Sequence, residues 1–132
     1  MVKTIFALDN YEGIERYTSA LKPKLDDASY TLRKFWSPYI LYRAIERASP
    51  GPDLLITAFE FGRYPSLNGI EVVRRAHQSS RKTKFIICSG YDKSRFENSL
   101  YRLGREGIKA KHIRLDDVER NLAGLVKSLI GE

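Results

Sequence analysis

The chain has 132 residues, of which 42% are hydrophobic, enough to close one core without disulfides or metals. A single cysteine excludes an internal disulfide framework, and no run approaches the roughly 20 apolar residues of a membrane helix. The formal net charge of +7 is unevenly spread: residues 74–114 hold twelve Lys/Arg against Asp92, Glu97 and Glu106. Such a region suits an acidic protein, nucleic acid or a membrane surface equally well on charge alone.

The N-terminus has no long apolar stretch, so no signal peptide is expected. Thr4 to Leu8 is almost continuously apolar, as a strand covered on both faces requires, and it ends at Asp9-Asn10. Ile14, Tyr17 and Leu21 then recur at helical spacing, and Pro23 marks the approximate end of that helix. Tyr30 to Trp36 reads as a second strand. Ser37-Pro38 is a helix start with Ser as N-cap and Pro at the first helical position, followed by an apolar stripe of Leu41, Ala44, Ile45 and Ala48. Pro50-Gly51-Pro52 stops it.

Asp53 to Phe59 gives a third strand, and the loop after it contains Gly62 and Pro65. Asn68-Gly69 introduces a helix with Ile70, Val73 and His77 on one side, beside Val72 and Ala76. Phe85 to Ser89 is a fourth strand, in which Cys88 reads as a small buried hydrophobe. Ser94 to Leu103 is expected to be a helix with Phe96, Leu100 and Leu103 inward, ended by Gly104 or Gly107. A fifth strand spans about Ala110 to Leu115. Asp116-Asp117 should cap a last helix bearing Val118, Leu122, Leu125 and Leu129.

Five βα units, with no linker or repeat between them, imply one domain over residues 1–132. The expected fold is α/β: a doubly wound, five-stranded parallel sheet of flavodoxin-like order 2-1-3-4-5 with helices on both faces. Functional residues of such a sheet lie at the C-terminal strand ends. Those ends carry Asp9, Asn10, Thr57, Ala58, Glu60, Ser89 and Arg114.

The run Pro52-Asp53-Leu54-Leu55-Ile56-Thr57-Ala58, with Asn68-Gly69-Ile70-Glu71-Val72-Val73 after it, resembles the central signature of response-regulator receiver domains (CheY-like). The resemblance covers essentially the whole chain. It implies a pocket made by Asp9, Asn10, Ala58, Ser89 and Arg114, in which the phosphoacceptor aspartate falls on Ala58 and one of the paired acidic residues falls on Asn10. The family's hydroxyl is kept as Ser89. Counting from Gly107 puts the family lysine on Arg114, its proline on Leu115 and its switch aromatic on Lys111; counting from Gly104 would put the lysine on Lys111. The first count keeps Ile113 within the strand and is preferred.

A methyl group cannot form an acyl phosphate, and an amide in place of a carboxylate weakens a hard-cation site. The resemblance therefore implies a degenerate, pseudo-receiver pocket without metal or cofactor. Thr57 and Glu60 flank Ala58, but strand alternation directs Thr57 to the opposite face. His77 and His112 have no Cys or His at ligand spacing, Ser89 has no evident His or Asp partner in the sequence, and no phosphate loop is present, so no catalytic residue and no enzyme activity are expected.

Arg95, Arg102 and Arg105 recur at i, i+7 and i+10 on the side of the fourth helix opposite Phe96, Leu100 and Leu103, with Lys93, Lys109, Lys111 and Tyr101 nearby. A charged outer face is the default for a surface helix. In receiver domains, however, the fourth helix, fifth strand and fifth helix form a common docking face, so the resemblance implies partner binding by Arg95, Arg102, Arg105 and Lys111. The expected function is a phosphorylation-independent receiver-like signalling domain in a two-component-type pathway. It would be cytoplasmic, monomeric or weakly homodimeric, without a membrane partner, and would bind an acidic protein. Two alternatives stay open: nucleic-acid binding through residues 74–114, for which no helix-turn-helix, zinc finger or aromatic platform is present, and phosphorylation at an atypical residue.

Overall fold

A computed structural model describes residues 2–131. Five strands, β1 (Lys3–Leu8), β2 (Tyr30–Phe35), β3 (Leu54–Ala58), β4 (Lys84–Ser89) and β5 (Ala110–Arg114), pair in parallel in the order β2-β1-β3-β4-β5. The helices α1 (Tyr11–Leu21), α2 (Pro38–Arg47), α3 (Gly69–Ser79), α4 (Glu97–Arg105) and α5 (Val118–Ile130) connect them. This is the flavodoxin-like order expected from the sequence.

Strand alternation divides the core in two. Ile5, Leu54, Ile56, Ile86, Cys88 and Ile113 face α1 and α5, where Ile14, Tyr17, Leu122 and Val126 meet them. Phe6, Leu8, Leu55, Phe85 and Ile87 face α2, α3 and α4, where Leu41, Ile45, Val73 and Leu103 pack. The central strand is sealed from both sides: Leu54, Leu55, Ile56 and Thr57 have no exposed surface. Each of those aliphatic side chains contributes about 1.5–3 kcal/mol of burial, which fixes the register that carries the strand ends.

Two helices start where the sequence places them, after Ser37 and Asn68, and α1 starts after Asn10; each of the three side chains accepts the backbone N–H of the third helical residue. Three expectations change. The segment Lys93–Phe96 is a 3-10 turn, and α4 proper runs from Glu97 to Arg105, so the assumed Ser94–Leu103 helix is not continuous. Leu115–Asp117 is likewise a 3-10 turn, and neither Asp116 nor Asp117 makes a side-chain cap to α5. In both places the turn tightens the exit from a strand so that Phe96 and Val118 reach the core. Trp36 lies outside β2 and stands exposed.

Candidate functional site

The parallel register brings the ends of all five strands to one edge. Leu8 lies between Phe35 and Thr57, Ala58 lies opposite Cys88, and Ser89 lies opposite Arg114. Asp9, Asn10, Ala58, Ser89 and Arg114 therefore share one edge of the sheet.

Asp9 follows the α1/α5 side of β1. Its carboxylate accepts the hydroxyl hydrogen of Tyr17, two turns along α1, and the backbone N–H of Asn10 at 2.6 Å. Gly13 makes the room: a Cβ there would lie 2.2 Å from Asp9 Oδ2. Burial raises the Asp9 carboxyl above the ordinary aspartate range, against the opposing pull of its two donors, Tyr17 and Asn10. Asn10 is spent on its helix, with Oδ1 accepting from the Gly13 N–H at 2.8 Å. The carboxylate that the resemblance assigns to the degenerate strand-end pocket is held by Tyr17 beneath α1.

Ala58 is 7% exposed and offers only a methyl at the end of β3. The loop that follows returns tightly, with an antiparallel bridge between Glu60 and Asn68 and a 2.7 Å bond from Gly69 N–H to Phe59 O. A Cβ at Gly69 would lie 2.5 Å from the Ala58 carbonyl oxygen, so glycine is what permits this closure. Thr57 faces away from Ala58 and donates its hydroxyl to the Ala58 carbonyl at 3.0 Å.

Ser89 does have a histidine partner. Its Oγ accepts from the Tyr91 N–H at 3.1 Å and lies 2.8 Å from His112 Nε2. The His112 ring stacks on Phe96 with centroids 4.5 Å apart, and Phe96 meets Phe59 edge to face at 4.7 Å. Burial, then the positive Arg114 and Lys93, hold the imidazole below its ordinary pKa, so it is neutral at pH 7 and Nε2 can accept the Ser89 hydroxyl. The ring that reaches Ser89 is therefore His112, whereas Lys111 lies opposite Ile86, deeper in the sheet. Arg114 is drawn outward into ion pairs with Asp92 at 3.1 Å and Asp116 at 3.5 Å.

The donor set does not fit a Mg²⁺ ion. Asp9 is already satisfied by Tyr17 and Asn10, the Asn10 amide caps α1, and Ala58 brings no oxygen. Among the described residues no group of His, Cys, Asp or Glu is placed to hold a metal. No described helix is long and apolar enough to cross a membrane.

Arg95, Arg102, Arg105 and Lys111 are exposed, and none forms an ion pair with another described residue. Their arrangement differs from the expected single stripe. Arg95 sits in the 3-10 turn, with its guanidinium 4.2 Å from the Tyr91 ring centroid. Arg102 and Arg105 lie on α4, whereas alternation puts Lys111 with Ile113 on the α5 side of β5. The three arginines thus do not lie along one α-helix, and Lys111 lies on β5, where the sequence placed it.

Beside Asp9 the strand ends also form a cleft of about 450 Å³, lined by Asp9, Asn10, Tyr11, Trp36, Glu60, Phe61, Gly62, Arg63 and Tyr64. Its aromatic wall was not foreseen, although Tyr11, Trp36 and Phe61 each lie within a few residues of a strand end.

No protein-family model matches the chain, and no curated protein matches it in sequence. Solved structures do. The signal receiver domain of an HD domain-containing protein from Pseudomonas fluorescens Pf-5 superposes with a TM-score of 0.71 at 21% identity, covering 97% of this chain and 87% of that one. A CheY-like response regulator receiver domain protein from Methanospirillum hungatei JF-1 gives 0.72 at 18%, covering 97% and 93%. A LuxR-family two-component response regulator from Aurantimonas sp. SI85-9A1 gives 0.74 at 15%, covering 98% and 86%. The chain has the receiver fold; at these identities the likeness is one of fold.

Proposed function

We propose that this chain is a phosphorylation-independent, receiver-like signalling domain of a two-component-type pathway, acting by protein-protein interaction and without enzymatic activity. The observation that carries the proposal is the state of the β3 and β1 ends. Where the receiver resemblance calls for an acceptor aspartate stands the buried methyl of Ala58, and Asp9 is bound by Tyr17 beneath α1. Phosphoryl transfer needs a nucleophile and a cation to offset the charge of the phosphoryl oxygens, and neither is supplied here.

The Ser89–His112 contact supports the same reading. In the resemblance, the aromatic lies three residues before the lysine; with His112 in the aromatic's place, that spacing ends on Leu115, which has no charge to contact a phosphoryl group. Arg114, the residue the Gly107 count assigned to the lysine's role, is paired with Asp92 and Asp116.

The partner surface proposed is the free edge of β5 with Arg95, Arg102, Arg105 and Lys111, joined by the exposed Tyr101. Unpaired arginines beside an exposed tyrosine are the residue types that dominate binding energy at interfaces, and their charge selects an acidic partner. The domain is proposed to act as a monomer or weak homodimer in the cytoplasm.

The test is capture of partners from the native host with the chain and with Arg95→Glu/Arg102→Glu. The proposal expects an acidic protein retained at low salt by the first and lost by the second, with thermal stability within about 0.5 kcal/mol, since exposed charges contribute little to folding. Retention by both, or replacement of the protein by bound duplex DNA with a steep salt dependence, would overturn it.

A further inference from the structure

Of the six large hydrophobic side chains exposed among the described residues, four cluster on one side of the molecule, far from the α4 surface in the strand order. Tyr11, Trp36, Tyr39 and Ile40 are 71%, 52%, 56% and 60% exposed. Trp36 follows β2, Tyr39 and Ile40 open α2, and Tyr11 opens α1. The inward side of α2 is filled by Leu41, Tyr42 and Ile45, so Tyr39 and Ile40 lie outside the core.

The patch runs between two clefts of opposite character. At one end Trp36 and Tyr11 wall the 450 Å³ cleft with Phe61 and Tyr64, and Tyr39 meets Tyr64 edge to face at 5.5 Å, which joins that cleft to α2. At the other end Ile40 borders a second cleft of about 340 Å³ lined by Arg33, Arg43, Ala44, Arg47 and Ala48. Three guanidinium groups share this cleft and no carboxylate lines it. None of the three arginines forms an ion pair with another described residue. Arg33 is held by stacking, 5.6 Å from the Phe6 centroid and 5.1 Å from that of Phe35, so one donor fork is fixed before any ligand arrives. Glu46 is the one acidic residue on the outer side of α2.

We infer that the α2 side of the molecule is a second docking surface, distinct from the β5 edge, for an acidic amphipathic segment of a protein partner. An apolar side chain of that segment enters the cleft of Trp36, Tyr11, Phe61 and Tyr64, and its carboxylates meet Arg33, Arg43 and Arg47. The polarity is set by charge: the aromatic cleft carries Glu60 and Asp9 against the single Arg63, whereas the other cleft carries three arginines and no carboxylate, so acidic residues are drawn to the arginine end. Exposed Trp, Tyr and Arg in one patch are the residue types enriched at interface centres, and an apolar anchor in a preformed cleft flanked by charge is how such centres bind. The inference does not depend on the phosphorylation-independent reading of the strand ends.

Trp36 is the only tryptophan in the chain and lies in the patch, so its fluorescence reports occupancy directly. The probe is a synthetic amphipathic peptide of Leu, Phe and Glu, titrated beside a Ser/Glu peptide of equal charge. The expected result is a saturable blue shift of Trp36 emission with the Leu/Phe/Glu peptide only. Arg43→Glu/Arg47→Glu should weaken it about tenfold or more, and Arg95→Glu/Arg102→Glu should leave it unchanged. Equal loss in both reversed pairs would reduce the effect to general charge attraction, and equal binding of the Ser/Glu peptide would reduce it to an anion site. A concentration-dependent blue shift without peptide, with dimers in sedimentation, would assign the patch to self-association. Each of these outcomes, or no shift at all, overturns the inference.

Discussion

Tyr17→Phe isolates the contact that turns Asp9 away from the sheet edge. Tyr17 is fully buried, and phenylalanine keeps its ring, so the substitution leaves no cavity and removes only the hydroxyl, which Asp9 accepts and which also meets the Cys88 thiol. A hydrogen bond to a charged group is worth about 1.5–3 kcal/mol. For a domain of this length that corresponds to a fall in Tm of roughly 5–15 °C. Burial is what raises the Asp9 carboxyl, and Tyr17 opposes it, so loss of the hydroxyl should raise the Asp9 pKa further. The assay is a thermal melt of Tyr17→Phe in the natural background and in Asp9→Asn, together with an NMR titration of the Asp9 carboxyl. In Asp9→Asn the hydroxyl meets a neutral acceptor, and its loss should cost about 0.5–1.5 kcal/mol. A cost below about 0.5 kcal/mol in the natural background, or equal costs in both, would refute an ionised carboxylate bound by Tyr17.

Three further outcomes follow from the same geometry. Gly13→Ala should destabilise the fold by about 1–3 kcal/mol in chemical denaturation, because the new Cβ forces Asp9 out of its bond with Tyr17; a neutral effect would place Asp9 elsewhere. His112 has a folded pKa below its unfolded value of 6.5, so the unfolded state binds more protons and stability falls as pH drops below 6.5; His112→Gln should flatten that limb of the stability profile. Asp9 acts in the opposite sense nearer 3.8, where its raised carboxyl takes up a proton first in the folded state and so adds stability on acidification. Ala58→Asp alone should leave Tm unchanged in millimolar Mg²⁺, whereas Ala58→Asp/Asn10→Asp should give a Mg²⁺-dependent rise as ligand binding adds to folding.

The fold was legible because its signals are local or periodic. Continuous apolarity marked Thr4–Leu8 and Phe85–Ser89 as buried strands, and Ser37 and Asn68 marked helix starts with the short oxygen-bearing side chains that a cap requires, whereas Asn10 was read only as the end of the first strand and caps α1 as well. The 3-10 turns at Lys93–Phe96 and Leu115–Asp117 were not legible, since their residues fit an α-helical pattern equally well and only packing against the sheet selects the tighter turn.

The candidate site was legible only as a set of strand ends. Tyr17 looked like one more apolar residue on the inner face of α1, and nothing in a one-dimensional pattern shows that its hydroxyl reaches back to Asp9. Ser89 and His112 are 23 residues apart, and their contact depends on the β4–β5 register that sets Ser89 opposite Arg114. The Arg33, Arg43 and Arg47 cleft escaped notice because residues 1–66 are nearly neutral in sum, with nine Lys/Arg against eight Asp/Glu. Folding segregates charges that counting averages.

The central claim, that the strand-end pocket neither accepts a phosphoryl group nor requires one, is tested most directly by intact mass after incubation with acetyl phosphate and Mg²⁺. The account predicts an unchanged mass, because Ala58 offers no nucleophile and Asp9 is held by Tyr17. A stable gain of one phosphoryl group, mapped to Thr57, Glu60 or any other residue at the C-terminal edge of the sheet, would contradict it.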